Sequence, residues 1–407
     1  MRVVLAALVA SGCYQPTPPA GAPCGENDVC PSGLMCIGGF CVVEPGSGSG
    51  GDGRPGDAVM CDGFTAHHFD PCALPAGGAV VLTTQYAPYA LDTSGTVTAI
   101  KGKMNHLVTI ATMVIDQGGT PALLISSDDF RIDAGVALRV SGSRPLIIAS
   151  RSNITIAGDI SINGIRTSPA AGSDPSNLCT VTAPTAGISG AGGAGGGGGG
   201  GFLAAGGAGG AGDADTGLKA GGASGAAVTV PTIVRGGCSG ALGGSGGGGN
   251  AAGGAGGGAI QLTAKSAITI AGSINAGGGG GNPGTITDGG GAGGGAGGYI
   301  GLEAPSITIG GGIAANGGGG GEGNNATAVI AGADGQVSTA SALGGSSSNC
   351  GAAGGSGGAL SMPSGQSVTI VDTCGGGGGG GGVGFILVWG QLVALGTVSP
   401  MAIQNPF

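Results

Sequence analysis

Residues 146–164 read LIIASRSNITIAGDISING, and residues 260–278 read IQLTAKSAITIAGSINAGG. The two stretches share one plan: an apolar alternation (Leu146/Ile148; Ile260/Leu262), a polar turn, a second alternation (Ile154/Ile156; Ile268/Ile270), then Gly and a further Ile (Ile160; Ile274). Residues 300–318, IGLEAPSITIGGGIAANGG, repeat it with Ile300/Leu302, Ile307/Ile309 and Ile313. Two looser copies follow, one with Leu360/Met362 and Val368/Ile370, the other with Ile386/Val388 and Val393/Leu395. Period-2 alternation puts these side chains on one face of a strand. A strand-turn-strand unit too small to bury its own face must stack on its neighbours. Hairpins of a Gly-rich β-sandwich would not reproduce one unit in one orientation. The expected fold is therefore all-β: a single-stranded right-handed parallel β-helix, its hand following the rule for parallel crossovers.

Upstream, residues 58–166 are short β-branched runs such as 79–82, 96–100, 107–110, 123–125 and 136–140, separated by Gly, Asp, Asn and Ser. No helical periodicity extends over a useful length. Gly-rich stretches at about 167–258, 277–298, 317–358 and 375–384 each leave a unit after its second strand region. They should all emerge from one corner of the solenoid as lateral insertions. Uninterrupted Gly runs occur at 195–201 and 375–382. Chains without side chains can pack closely as polyproline-II helices, in which seven residues extend about 22 Å. Ordering Gly costs much backbone entropy, so the expected order depends on dense packing.

Composition excludes several classes. Gly supplies 104 of 407 residues, while only 8% of residues are charged, which is unlike an ordinary enzyme domain. No strict Gly-X-Y period exists, so collagen is excluded. A 41% hydrophobic content opposes disorder of the whole chain. The net charge of −9 opposes nucleic-acid binding, which needs a basic face.

The N-terminus reads as an export signal. Arg2 is followed by an apolar run over 3–10, and Ala10, Ser11 and Gly12 precede Cys13. The run is too short to span a bilayer. Small residues before a lone Cys resemble the bacterial lipobox, which implies a signal peptide over 1–12, a lipid on Cys13 and membrane attachment through it. Tyr14 in place of Asp implies, by resemblance to other lipoproteins, the outer membrane or cell surface. A Pro-rich tether (13–23), a small disulfide-rich module (24–45) and a Gly/Ser linker (46–57) precede the β-helix (58–407).

Apart from Cys13 there are ten cysteines, an even number suited to disulfides in an exported chain. Cys24, Cys30, Cys36 and Cys41 lie in a module too short for its own core, and their spacing does not suit zinc. Cys61, Cys72, Cys179, Cys238, Cys350 and Cys374 read as staples on loops. Of the three connectivities open to the last four, the pairs expected are Cys179 with Cys238 and Cys350 with Cys374.

The stretches ITIAGDISING, ITIAGSINAGGGGG and GGGGGGGGVGFILVWG, with the CPSGLMCIGGFC module, resemble a group of Gly-rich surface lipoproteins of myxobacteria. That resemblance implies location and fold and no activity. In composition alone the Gly-Ala tracts resemble mycobacterial PE-PGRS proteins, without their helical PE domain.

Candidate chemistry is sparse. Asp128, Asp129 and Asp133, with Arg131, form the densest charged cluster, and paired carboxylates can cleave glycosidic bonds. A solvated turn is the simpler reading. His67, His68 and Asp70, between Cys61 and Cys72, could contribute to a metal site, but adjacent strand residues face opposite ways. A disulfide-closed cap is preferred, and no cofactor is expected. The function expected is a structural or adhesive envelope role without catalysis. The alternative is a β-helical enzyme or binder acting on extracellular polysaccharide. Glycans or cell-surface molecules are the candidate partners, and the sequence leaves the oligomeric state open.

Overall fold

The computed structural model describes residues 34–37, 40–43, 59–213, 217–285, 288–324, 330–347, 350–369 and 374–406. The signal-peptide segment, Cys13, Cys24, Cys30, the tether and the linker lie outside them, as do the side chains of Cys36 and Cys41. The chain divides into two compact units, Met1–Pro55 and Gly56–Phe407. In the first, Leu34–Ile37 pairs antiparallel with Phe40–Val43, with Cys36 opposite Cys41.

The second unit is all-β; its described helical structure is limited to Ser176–Cys179 and a few 3-10 turns. An 11-stranded and an 8-stranded sheet, both mixed, curl around one shared core. Three rows of strands stack in parallel register. One row places Leu123, Leu146, Ile260, Ile300 and Ile386 in line. A second aligns Val80, Phe130, Ile154, Ile268, Ile307 and Leu392. A third aligns Leu138, Ile160, Ile274, Ile313 and Val398. In the first three copies of the sequence repeat the alternating residues face this core, and Ile154, Ile268 and Ile307 are fully buried. Each buried Ile contributes about 1.5–3 kcal/mol by leaving water.

Several expectations are corrected. Residues 360–369 form no rung: Tyr299–Ile309 pairs directly with Phe385–Ala394, so the stretches 317–358 and 375–384 belong to one insertion running from 315 to 384. Pro363 lacks the N–H a ladder needs, whereas 385–388 is an unbroken apolar run. The chain from 58 onward is also not uniformly parallel. Val59–Cys61 and Phe64–Ala66 form an antiparallel hairpin, and Ala99–Lys101, Leu107–Thr109 and Ala111–Asp116 pair antiparallel at the N-terminal end of the stack. Finally, the alternation of the last copy is out of phase: Leu392 and Ala394 sit in register with Ile307 and Ile309, while Val393 and Leu395 are exposed. The outward face of the first row is covered as well. Leu124, Ile147, Tyr299, Phe385, Leu387 and Trp389 form a second core with Phe64, Phe69 and Leu74 of the hairpin segment and with Phe202 and Val234 of the first insertion.

The Gly-rich insertions pack as a bundle of extended chains hydrogen-bonded backbone to backbone. Donors rotate with a period of three. The N–H groups of Gly291, Gly294 and Gly297 donate to the carbonyls of Gly376, Gly379 and Gly382. Those of Gly290, Gly293 and Ala296 donate to Gly244, Ala241 and Cys238, and those of Ala292, Gly295 and Gly298 to Asn282, Gly279 and Ala276. The N···O distances are 2.7–3.0 Å. Carbonyls of the same segment accept from Gly197 and Gly200, from Gly254 and Gly257, and from Gly318 and Gly321. Three residues per turn is the polyproline-II repeat, so each turn offers one donor to each of three neighbours. A Cβ on Gly378, Gly379 or Gly380 would lie well inside 3.0 Å of the carbonyl oxygens of Ala292, Gly207 or Ser356. Side chains are excluded in all three directions. Cys179–Cys238 staples the first insertion and Cys350–Cys374 the third.

Candidate functional site

The most concentrated polar chemistry lies where the hairpin segment, closed by Cys61–Cys72, meets the outer face of the first row. His67 and His68 follow Phe64–Ala66 directly. His67 Nδ1 is 2.6 Å from Glu303 Oε1, and the His67 backbone N–H donates to Glu303 Oε2 at 3.3 Å. Glu303 is only 2% exposed. Thr263 Oγ1 donates to Glu303 Oε2, and Gln261 Nε2 donates to Thr263 Oγ1. Tyr299 OH donates to Gln261 Oε1 at 3.1 Å and lies 3.2 Å from His68 Nε2. With His68 neutral and protonated on Nε2, one consistent donor order runs from His68 through Tyr299 to Gln261, and from Gln261 through Thr263 to Glu303.

Strand alternation builds this arrangement. Gln261 and Thr263, Tyr299 and Glu303, and Trp389 all occupy outward positions opposite the Ile and Leu of the inner core. Gly301, between Tyr299 and Glu303, leaves the space that the Gln261 side chain fills; a Cβ there would collide with it. Trp389 stacks on His67 at 5.0 Å between ring centroids and meets His68 edge-on at 5.7 Å. Burial, aided by His67, lowers the His68 pKa to about 4, so the ring is neutral at pH 7. Burial, with Glu303 nearby, raises that of Tyr299.

The three metal candidates do not converge. His67 is committed to Glu303 and His68 to Tyr299, and the Asp70 carboxylate accepts from the Cys72 N–H at 2.8 Å, capping a 3-10 turn. Asp174 lies beside Cys179 and Cys238, but the disulfide leaves no thiolate to ligate. Asp128 and Asp129 lie in the turn after Pro121–Ser127, and Asp133 follows Phe130–Ile132. Arg131 Nε is 2.8 Å from Asp133, and Arg151 is 3.9 Å from Asp128, whose side chain is 61% exposed. These are surface ion pairs on a turn.

Sequence reading missed Glu303, Tyr299, Gln261 and Trp389. The available signal was the lack of alternation in LLI, LIIA and FILVW, which marks strands buried on both faces. No family model, curated protein or solved structure matches this chain.

Proposed function

We propose that this chain is an exported envelope protein, anchored by a lipid on Cys13, whose second unit is a right-handed parallel β-helix carrying a Gly-rich bundle as a structural or adhesive surface. The observation that carries this reading is the bundle itself. Its backbone polar groups bond one another through three directions of packing, which yields a stiff body offering few side chains for chemistry. Three disulfides in the second unit suit an oxidising compartment. The likeness to Gly-rich surface lipoproteins of myxobacteria supports the same location.

The test is metabolic labelling with a palmitate analogue in a bacterial host, followed by protease treatment of intact cells. Wild-type protein is expected to carry the label and be cut from the cell surface, while Cys13→Ser carries none. Label persisting in Cys13→Ser, or complete protection from protease, would overturn the anchor or the surface location respectively.

A further inference from the structure

Arg235, in the first Gly-rich insertion, is only 5% exposed, and among the described residues its guanidinium makes no ion pair. One face lies over the Phe202 ring, 4.5 Å from its centroid. Nη1 lies 4.0 Å from Cys179 Sγ, one half of the Cys179–Cys238 disulfide. Burial lowers the Arg235 pKa only to about 10, so the group is a cation at pH 7. A buried charge without a counter-anion is costly, and a neutral disulfide sulfur is a weak acceptor. Beside the bridge lies a surface cavity of about 260 Å³, lined by Cys179 and Cys238 with Asp174, Thr180, Pro184 and Ser239.

We infer that Cys179–Cys238 is a reducible clasp, a site of exchange with a dithiol, in which Arg235 holds the Cys179 thiolate once the bridge opens. The dithiol supplies two electrons and closes to its own disulfide as the Cys179–Cys238 bond breaks. Of its two protons, one goes to Cys238 as a thiol and the other to solvent, and Cys179 stays a thiolate opposite Nη1. Reduction thus gives Arg235 the anion it lacks in the oxidised chain. Asp174 opposes this, because a carboxylate oxygen lies within 4.8 Å of both sulfurs. Asp174 is exposed and screened by water, whereas Arg235 is buried, where charge acts through a lower dielectric. The cation prevails. Cys61–Cys72 is placed differently: Lys265, held by Asp62 next to Cys61, is 37% exposed and already paired with that carboxylate. Opening the clasp frees the short helical turns over 176–182 from the inner chain at Cys238. The bond from Ala296 N–H to the Cys238 carbonyl, and the rest of the bundle ladder, stay in place.

The test is titration of the full chain with mixtures of reduced and oxidised dithiothreitol at pH 7. Alkylation and peptide mass mapping read each bridge, with Cys61–Cys72 as the internal reference. In the wild type Cys179–Cys238 should open reversibly with the fold retained, and the reduced chain should show the ultraviolet absorbance of one thiolate. Arg235→Met, similar in length but uncharged, should lose that absorbance and need at least ~10-fold more reduced dithiothreitol for half-opening. Cys61–Cys72 should not respond to that substitution. Arg235→Lys keeps the charge and should stay within ~3-fold of the wild type. Equal titrations for wild type and Arg235→Met would overturn the inference. So would a bridge that opens only when the chain unfolds, or a reduced wild type without the thiolate absorbance.

Discussion

Replacing Gly379 by Ala probes the bundle with one carbon atom. Gly379 is buried; its N–H donates to the Gly197 carbonyl and its carbonyl accepts from Gly294, both at 2.9 Å. The third direction, where a Cβ would project, holds the Gly207 carbonyl. Restoring ordinary contact requires the 207 segment to retreat by about 1 Å. That retreat stretches the bonds from Gly207 N–H to Gly380 (2.7 Å) and from Gly199 N–H to Gly207 (2.9 Å). Overpacking of this kind costs about 1–3 kcal/mol, and each weakened bond about 1 kcal/mol. Reduced freedom of the unfolded chain returns about 0.4–1 kcal/mol. The net loss is about 2–4 kcal/mol, or roughly 2–5 °C in melting temperature for a chain of this size. Gly310→Ala is the control: it is exposed, and the nearest atom to its Cβ is the Ile270 carbonyl oxygen at 3.9 Å. Thermal unfolding under non-reducing conditions reads both variants. Equal melting temperatures for Gly379→Ala and Gly310→Ala would refute close packing of the bundle.

Three further outcomes are expected. Ile268→Asp buries a charge between Ile154 and Ile307 and should cost more than about 4 kcal/mol, whereas Thr269→Asp, exposed on the same strand, should stay within about 1 kcal/mol in a denaturant titration. His67→Ala removes the partner of the buried Glu303 Oε1 and leaves Oε2 with the backbone N–H of residue 67 and Thr263, at a cost of about 1–3 kcal/mol; proteolysis should then cut the 59–74 segment first, and Glu303→Gln in the same background should restore part of the loss. His68 titrates near pH 4 when folded and near 6.5 when unfolded, so the unfolded chain binds its proton first as pH falls. Its stabilisation is complete above about pH 6.5 and declines by about 2–3 kcal/mol toward pH 4, so a pH series of unfolding curves should be flatter over that window in His68→Gln.

How much of this was legible follows from what each signal needs. The inner rows were, because Leu146/Ile148 and Ile154/Ile156, like Ile260/Leu262 and Ile268/Ile270, answer to the same core, and alternation is a local property. Residues 360–369 imitate that alternation, but Pro363 interrupts the ladder and the segment instead joins the bundle, where Gly365 and Val368 donate to Ala205 and Ala208. The Glu303 cluster was not legible because its partners are remote: His67 lies 236 residues away in the chain. A single carboxylate in a strand carries no periodicity to announce such a partner. The bundle was half legible. Gly runs announced that side chains had no room, but the threefold rotation of donors depends on which segments become neighbours.

The central claim is that the Gly-rich insertions form an ordered body held by their own backbones, and amide hydrogen exchange with mass-spectrometric readout tests it most directly. Residues 195–200, 290–298 and 378–382 are buried and donate through bonds of 2.7–3.1 Å, so their amides should exchange orders of magnitude more slowly than the unfolded-chain rate. The exposed turn at Gly118 and Gly119 should exchange close to that rate. Slow exchange in the three Gly segments, matching the core strands Ala259–Ala264 and Tyr299–Ile309, is the result the account requires. Exchange in those segments as fast as at Gly118 and Gly119 would contradict it.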